Sequence, residues 1–223
     1  MRNLNMKRNV LAVVILLCAV RAFAQDGVIR EISGMVELKR AGQANFVPAK
    51  TGDTVAKDTV VSTGFRSSAL IALGSAVLTV RPLTLLTVAE ISASASTETL
   101  NVNLQAGRVR VDVNPPAGTR ASTTVRSPIA TASVRGTVFE IDTQGLTVLR
   151  GAVAYAGDKG GTKLVRSGFA SEIRDDGKAA DPTETYMAAL LLPPLAGSNS
   201  GFRHAGVLQD EGDFNFIIDI DLH

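Results

Sequence analysis

Residues 107–113 read Gly107-Arg108-Val109-Arg110-Val111-Asp112-Val113, and this stretch decides the fold class. The valines occupy every second position, so in an extended chain they share one face and the charged side chains share the other. This pattern is typical of a half-buried strand with one solvated face. Similar short segments, separated by polar turns, recur about every 8–12 residues as far as residue 173. The sequence therefore predicts an all-β fold, an antiparallel roll or sandwich of many short strands.

Turn signals divide these strands. Gly74-Ser75 lies between two apolar runs, 69–73 and 76–80, and predicts a two-residue hairpin. A Gly-x-Val pattern begins at Gly34, Gly107 and Gly151, at unequal intervals that do not fit a regular solenoid. We interpret these glycines as turns or bulges at which the chain enters a strand, because glycine adopts a positive φ without strain.

Residues 1–24 have the pattern of a secretory signal peptide. Arg2, Lys7 and Arg8 give a positive start, Val10–Val20 is uncharged and apolar, and Ala22-Phe23-Ala24 is a small-x-small cleavage site. The apolar run is too short for a membrane span, which needs roughly 20 residues. We expect cleavage after Ala24 and export to the periplasm or beyond the cell.

Cleavage would change both the charge and the redox chemistry of the chain. It removes four of the 23 basic residues and none of the 21 acidic ones, which leaves a net charge of −2. A nucleic-acid partner is therefore not expected. Cys18, the only cysteine, would leave with the signal, so disulfides and thiolate metal sites are not expected either. Lipidation of Cys18 remains an alternative, although Leu16-Leu17 is a poor context for it.

The pattern changes after residue 174. Residues 25–174 are expected to form the all-β domain and residues 175–223 a C-terminal extension. Asp181-Pro182 with Glu184 predicts one short helix over 182–192, followed by a linker. Residues 213–222 predict a terminal edge strand that either closes this protein's own sheet or adds to a partner's sheet. Its apolar side chains alternate and would share one face: Phe214, Phe216, Ile218, Ile220 and Leu222.

The sequence contains no pattern typical of a catalytic or metal site. His204 and His223 are the only histidines, so no residue between 25 and 181 could serve as the imidazole base of a serine hydrolase. The Gly157–Lys163 segment lacks phosphate-loop spacing and predicts a hairpin turn. The acidic residues lack the spacing of a calcium loop. We expect no enzyme activity, no cofactor and no bound metal.

With these residues identified, the body of the chain resembles the FecR domain family. The resemblance covers about residues 27–174 and follows an ordered series of motifs. These are Gly34-x-Val36, Gly52-Asp53, Thr63-x-x-x-Ser67-x-Ala69-x-Ile71-x-Leu73-Gly74-Ser75, Arg81-Pro82-x-Thr84-x-Leu86, Leu104-x-x-Gly107-x-Val109-x-Val111, Ser127-Pro128-x-Ala130, Val134-Arg135-Gly136-Thr137-x-Phe139-x-Ile141, Thr147-Val148-x-x-Gly151-x-Val153 and Val165-x-x-Gly168.

The resemblance implies an all-β periplasmic domain that works by protein–protein contact, in its best-known members within an inner-membrane regulator. We expect no cytoplasmic anti-sigma segment and no membrane span in the mature chain, and hence a soluble envelope sensor, adaptor or scaffold. The motif residues could serve the structure or face a partner: Gly107, Pro128, Arg135, Gly136, Thr137, Phe139 and Gly151. Arg135 is interpreted first as a brace that clamps one turn through its planar guanidinium and second as a contact for a partner.

Two functional hypotheses remain open from the sequence. The first is a non-catalytic FecR-domain protein that binds another envelope protein, in the context of envelope signalling. The second is a structural module that binds the cell wall or another glycan. Aromatic residues make up only 4% of the chain, which disfavours the second hypothesis because sugar rings usually stack on aromatic side chains.

Overall fold

The computed structural model describes residues 26–94 and 96–182, whose regular structure is almost entirely β. The chain divides into two units, Met1–Leu191 and Leu192–His223, and every described residue belongs to the first. The strands are β1 (Gly27–Ser33), β2 (Val36–Lys39), β3 (Val47–Pro48), β4 (Thr54–Val55), β5 (Val60–Thr63), β6 (Ser68–Leu73), β7 (Ala76–Val80), β8 (Leu85–Ala93), β9 (Thr97–Ala106), β10 (Arg108–Val113), β11 (Arg120–Arg126), β12 (Ala130–Val134), β13 (Val138–Asp142), β14 (Gly145–Arg150), β15 (Ala152–Gly157), β16 (Gly160–Arg166) and β17 (Ala170–Glu172).

The strands form two sheets. The first sheet has the order β17-β14-β13-β10-β7-β6-β1-β4, and the second has the order β16-β15-β12-β11-β9-β8-β5-β2-β3. The predicted all-β architecture is confirmed, and neighbouring strands are antiparallel except for one pair, β9 and β11. These two strands run parallel because the chain leaves the second sheet after β9, forms β10 in the first sheet and then returns, which supplies the crossover that a parallel pair needs.

The buried faces of both sheets contribute to one hydrophobic core. In β10 burial alternates residue by residue, and Val109, Val111 and Val113 are at most 1% exposed, as the sequence predicted. The core is filled mainly by valine, leucine, isoleucine and alanine, while Tyr155 and Phe139 are its largest fully buried side chains. Because alternate residues of a strand point to opposite faces, each buried valine of β10 leaves a charged neighbour on the outer face.

The predicted turns are also confirmed. Leu73 pairs with Ala76, so Gly74-Ser75 forms the two-residue connection between β6 and β7. Gly34, Gly107 and Gly151 have φ values of 74°, 82° and 85°, and each directly or almost directly precedes a strand. Their role as turn residues follows from this geometry, because residues with a side chain are strained at such φ values.

The packed structure extends beyond residue 174, where the sequence placed the end of the domain. Ile173 bridges Ala179, and Ala179 and Ala180 are almost fully buried. Ser171 Oγ donates a hydrogen bond to the Ala180 carbonyl oxygen at 2.8 Å. The hairpin over residues 173–180 is thus part of the described fold.

Several predictions fall outside the described residues. These are the signal peptide over 1–24, the terminal strand over 213–222 with its apolar face, and the helix over 182–192 except for its first residue. Within the described ranges, no helix is long and apolar enough to cross a membrane.

Candidate functional site

The Arg-Gly-Thr motif carries the chain from one sheet to the other. β12 lies in the second sheet and β13 in the first, and residues 135–137 connect them. Thr137 is buried, and its backbone N–H donates to the Val113 carbonyl oxygen at 3.2 Å while its carbonyl accepts from the Val113 N–H at 2.9 Å. Its Oγ1 donates to the Ala152 carbonyl oxygen at 3.0 Å. Thr137 therefore fixes the crossing to β10 on one side and to β15 on the other.

Gly151 allows the next turn to approach this crossing closely. With a φ of 85°, Gly151 lies so near that an added Cβ would be 3.0 Å from both the Gly136 carbonyl oxygen and Thr137 Oγ1. Gly136, Thr137 and Gly151 thus form one packed element, which we call the RGT crossing (residues 135–137 with Gly151). Thr137 and Gly151 thereby fix the backbone next to Arg135.

Arg135 extends from the RGT crossing toward solvent. The residue is exposed and forms no hydrogen bond or ion pair with the rest of the described chain. The bracing role that the sequence suggested for Arg135 is performed by the hydroxyl of Thr137 instead. A guanidinium fixed at its backbone and free at its tip can bind a carboxylate or a carbonyl group of another molecule through paired N–H donors.

The remaining motif residues are not part of the RGT crossing. Phe139 is fully buried in the core, where its backbone pairs with Val111 and Val148. Pro128 is exposed in the turn between β11 and β12. Gly107 lies beyond the other end of β13, since Arg108 pairs with Asp142 while Asp112 pairs with Val138. The seven motif residues therefore separate into the crossing, the core and two distant turns.

A ladder of charges crosses the outer face of the first sheet. Arg81 Nη2 lies 3.0 Å from Glu140 Oε2, and Arg108 contacts Glu140 at 3.5 Å and Asp142 at 2.9 Å. Glu140 and Asp142 share a face because they are two residues apart in one strand. The arginines are about 40% exposed. Such partly solvated pairs contribute modestly to stability, and their mutual neutralisation makes them structural rather than reactive groups.

Two buried threonines organise the end of the fold next to this ladder. The Thr84 hydroxyl donates a hydrogen bond to the Arg108 carbonyl oxygen at 3.0 Å, and it accepts one from the Arg108 N–H at 3.0 Å. Thr63 Oγ1 donates to the Arg81 carbonyl oxygen at 2.6 Å and accepts from the Thr84 N–H at 3.0 Å. Gly107 packs directly against Thr84. These bonds fix the Arg81–Thr84 turn to the neighbouring strands.

Three large apolar side chains project from this end, and the sequence analysis did not identify them. Met35, Phe65 and Leu83 are 63%, 72% and 62% exposed. Their turns are joined by backbone hydrogen bonds, from the Gly64 N–H to the Met35 carbonyl oxygen at 2.9 Å and from the Leu83 N–H to the Gly64 carbonyl oxygen at 3.2 Å. We call these three side chains the apolar tip. The sequence did contain a signal for such side chains, namely an apolar residue within a turn, as Leu83 in Arg81-Pro82-Leu83-Thr84.

The described residues contain little that could perform chemistry. They include no group of three or more histidine, cysteine, aspartate or glutamate side chains placed to hold a metal ion. A recess beside Ser75, Glu98 and Thr123 has room for about one water molecule. Burial, together with the carboxylates of Asp142 and Glu172, raises the pKa of the Tyr155 phenol well above its usual value of about 10. That group is a neutral core side chain at physiological pH.

Comparisons with known proteins find one family model that matches part of the chain. The model of the FecR protein family matches residues 59–154, from the start of β5 into β15 and including the RGT crossing. No curated protein matches the sequence. Two crystal structures of proteins provisionally described as anti-sigma factors, from Parabacteroides distasonis, align with TM-scores of 0.46 and 0.44 at 14% and 13% identity. The alignments cover 57% and 58% of this chain and 62% and 64% of those chains, so this chain spans less than two thirds of each.

Proposed function

We propose that this chain, whose residues 59–154 match the model of the FecR protein family, is an exported, non-catalytic regulatory module that works by binding another protein of the cell envelope. The match to this family supports a role in signalling or regulation. The non-catalytic part of the proposal rests on the sequence, in which no histidine occurs between residues 25 and 181.

The observation that carries the proposal is the position of Arg135. Its backbone continues into Thr137, which hydrogen bonds fix to two strands, while its side chain is exposed and forms no hydrogen bond or ion pair within the described chain. A rigid backbone lowers the conformational entropy that is lost on binding. Arginine is also enriched among the residues that contribute most to the affinity of protein interfaces. We therefore assign Arg135 as the central contact for an acidic or carbonyl-presenting site on the partner.

The export part of the proposal depends on residues 1–24 and has its own test. Cells that express the C-terminally tagged full chain are fractionated, and the mass of the recovered protein is measured. The proposal expects envelope protein that begins at Gln25. Recovery of a chain that retains residues 1–24 in the cytoplasmic fraction would contradict export.

The binding part is tested by chemical crosslinking and affinity capture of the same tagged chain from cells. Arg135→Glu is compared with Arg30→Glu, a matched control on β1 in which the arginine is also exposed. We expect a discrete envelope protein with the unmodified chain, at least tenfold less of it with Arg135→Glu and the same amount with Arg30→Glu.

Two results would overturn this proposal. Equal capture by both variants would show that Arg135 is not the contact. If the unmodified chain captures no protein but sediments with purified cell wall, the glycan-binding hypothesis replaces the protein-binding one.

A further inference from the structure

Two of the turns that carry the apolar tip each hold a residue in a strained backbone conformation. Leu83 and Arg66, the neighbour of Phe65, have φ values of 55° and 53°. Residues other than glycine, asparagine and aspartate rarely adopt this backbone conformation, because it is strained for them. Strain of this kind persists only where the surroundings enforce it. The hydrogen bonds of Thr63 and Thr84 hold the turn around Leu83. The hydroxyl of Ser67, which donates to the Phe65 carbonyl oxygen at 3.0 Å, holds the turn around Arg66.

The chemistry of the tip is apolar and basic. The three turns that form it, residues 33–35, 63–67 and 81–84, contain Arg66 and Arg81 and no acidic residue. Arg81 is engaged with Glu140. The Arg66 guanidinium lies 5.4 Å from the centre of the Phe65 ring and forms no ion pair with another described residue. One available cation thus lies directly beside the most exposed aromatic ring.

The exposed area of the tip favours a bilayer over a protein as its partner. Three side chains exposed to this degree present roughly 400 Å² of surface. Each partner in a standard protein–protein interface buries about 800 Å². The tip alone is therefore small for a protein interface. A few exposed apolar side chains beside basic residues are, in contrast, the composition that partitions into the headgroup region of a bilayer.

We propose that the apolar tip is a membrane-contact site, at which Met35, Phe65 and Leu83 insert into the surface of an anionic bilayer while Arg66 binds lipid phosphate. This inference goes beyond the proposed function and does not depend on it. The tip and Arg135 lie beyond opposite ends of β13, which is roughly 16 Å long. A domain held to a bilayer at the tip would keep Arg135 accessible to a protein partner.

Vesicle sedimentation of the full chain gives the first test. Vesicles of phosphatidylglycerol with phosphatidylethanolamine are compared with vesicles of phosphatidylcholine alone. The test variant combines Met35→Ser, Phe65→Ser and Leu83→Ser. The control variant is Leu164→Ser, because Leu164 lies on the edge strand β16 and is 54% exposed. We expect the triple variant to bind anionic vesicles at least tenfold more weakly, the Leu164→Ser control to bind within twofold of the unmodified chain, and high salt to weaken binding.

A second test reports the position of the contact and remains decisive even if the apolar residues 10–20 bind vesicles by themselves. In a Cys18→Ser background, an environment-sensitive dye is attached to Leu83→Cys or, separately, to Leu164→Cys. The proposal expects a blue shift and increased emission on addition of anionic vesicles with the dye at residue 83 and no change at residue 164. No response at residue 83, or equal responses at both positions, would overturn it. If the dye at residue 83 is silent while the triple variant loses a captured protein, the tip is a protein-docking surface and the membrane proposal is wrong.

Discussion

Gly107 packs so closely against Thr84 that a Cβ added to residue 107 would overlap the threonine hydroxyl. The contact joins the start of β10 to the turn that presents Leu83, and it places a glycine of positive φ against the Oγ1 that bonds both backbone groups of Arg108. A Gly-x-Val motif that is visible in the sequence is thus explained by a buried hydroxyl that lies 23 residues earlier in the chain.

Replacement of Gly107 is expected to destabilise the fold strongly. Gly107→Ala introduces both a strained φ and an overlap with Thr84, and should lower the free energy of unfolding by about 2–5 kcal/mol. Gly168→Ala is the matched control, since Gly168 has a φ of 84° but open space around its Cα. That change should cost only about 1–2 kcal/mol. Urea denaturation followed by circular dichroism measures both values, and equal losses would show that the contact with Thr84 has no energetic role.

The hydroxyl of Thr137 is expected to stabilise the RGT crossing. Thr137→Val preserves the shape of the side chain but removes the hydrogen bond to the Ala152 carbonyl, which should cost about 1–2 kcal/mol. In the control Thr124→Val, the hydroxyl lost makes only an exposed contact of 3.5 Å with Ser133, so a change within about 0.5 kcal/mol is expected. The same denaturation experiment compares them. Two variants of equal stability would indicate that the crossing is held by its backbone bonds alone.

The charge ladder is expected to contribute little and to depend on salt. Glu140→Gln removes a carboxylate shared by Arg81 and Arg108, and because these groups are partly solvated the expected loss is about 0.5–1 kcal/mol. Unfolding free energies are measured at low and at high ionic strength, where the difference between variant and parent should shrink. Asp112→Asn, which affects one pair of 3.5 Å with Arg150, serves as the weaker comparison. A loss of several kcal/mol that salt does not alter would contradict this assignment.

Tyr155 is expected to make stability decrease at high pH. Its pKa in the folded protein is raised above the usual value of about 10. Above pH 10 the unfolded chain therefore loses the phenolic proton while the folded chain keeps it. The free energy of unfolding then falls by about 1.4 kcal/mol per pH unit from this group, whose contribution is fully present below pH 10.

The Tyr155→Phe variant isolates this effect from other groups that titrate in the same range. Denaturation of both proteins from pH 8 to pH 11 should give curves that separate above pH 10, with the variant less dependent on pH. The hydrogen bond from the hydroxyl to the Gln144 carbonyl oxygen is long, at 3.5 Å, so its loss at neutral pH should be small. Parallel curves across the whole range would refute the raised pKa.

The sequence predicted the features that depend on local pattern. The alternation in β10, the Gly74-Ser75 hairpin and the positive φ of Gly151 all follow from side-chain period and glycine placement, and each is confirmed. The assignment of strands to two sheets did not follow, because it depends on non-local pairing. The parallel pairing of β9 with β11 arises only because β10 lies in the other sheet.

The candidate sites depend on contacts that are distant in sequence, and their prediction was correspondingly incomplete. Arg135 was identified from its motif, but its expected bracing role belongs to Thr137, whose partner Ala152 lies 15 residues away. The apolar tip was missed because Met35, Phe65 and Leu83 lie on three separate turns. Only the pairing of strands brings these turns together, and only burial distinguishes their side chains from those of the core.

The central claim is that the domain described here binds a protein partner through Arg135. Site-specific photo-crosslinking in cells tests it most directly, with the photoreactive residue placed at the exposed position 133, two residues before Arg135, and, as the control, at position 30. The account predicts one discrete crosslinked partner from position 133, its loss when Arg135→Glu is added, and no such product from position 30. The absence of a crosslink at position 133, a crosslink that Arg135→Glu leaves unchanged, or the same products from positions 133 and 30 would contradict the claim.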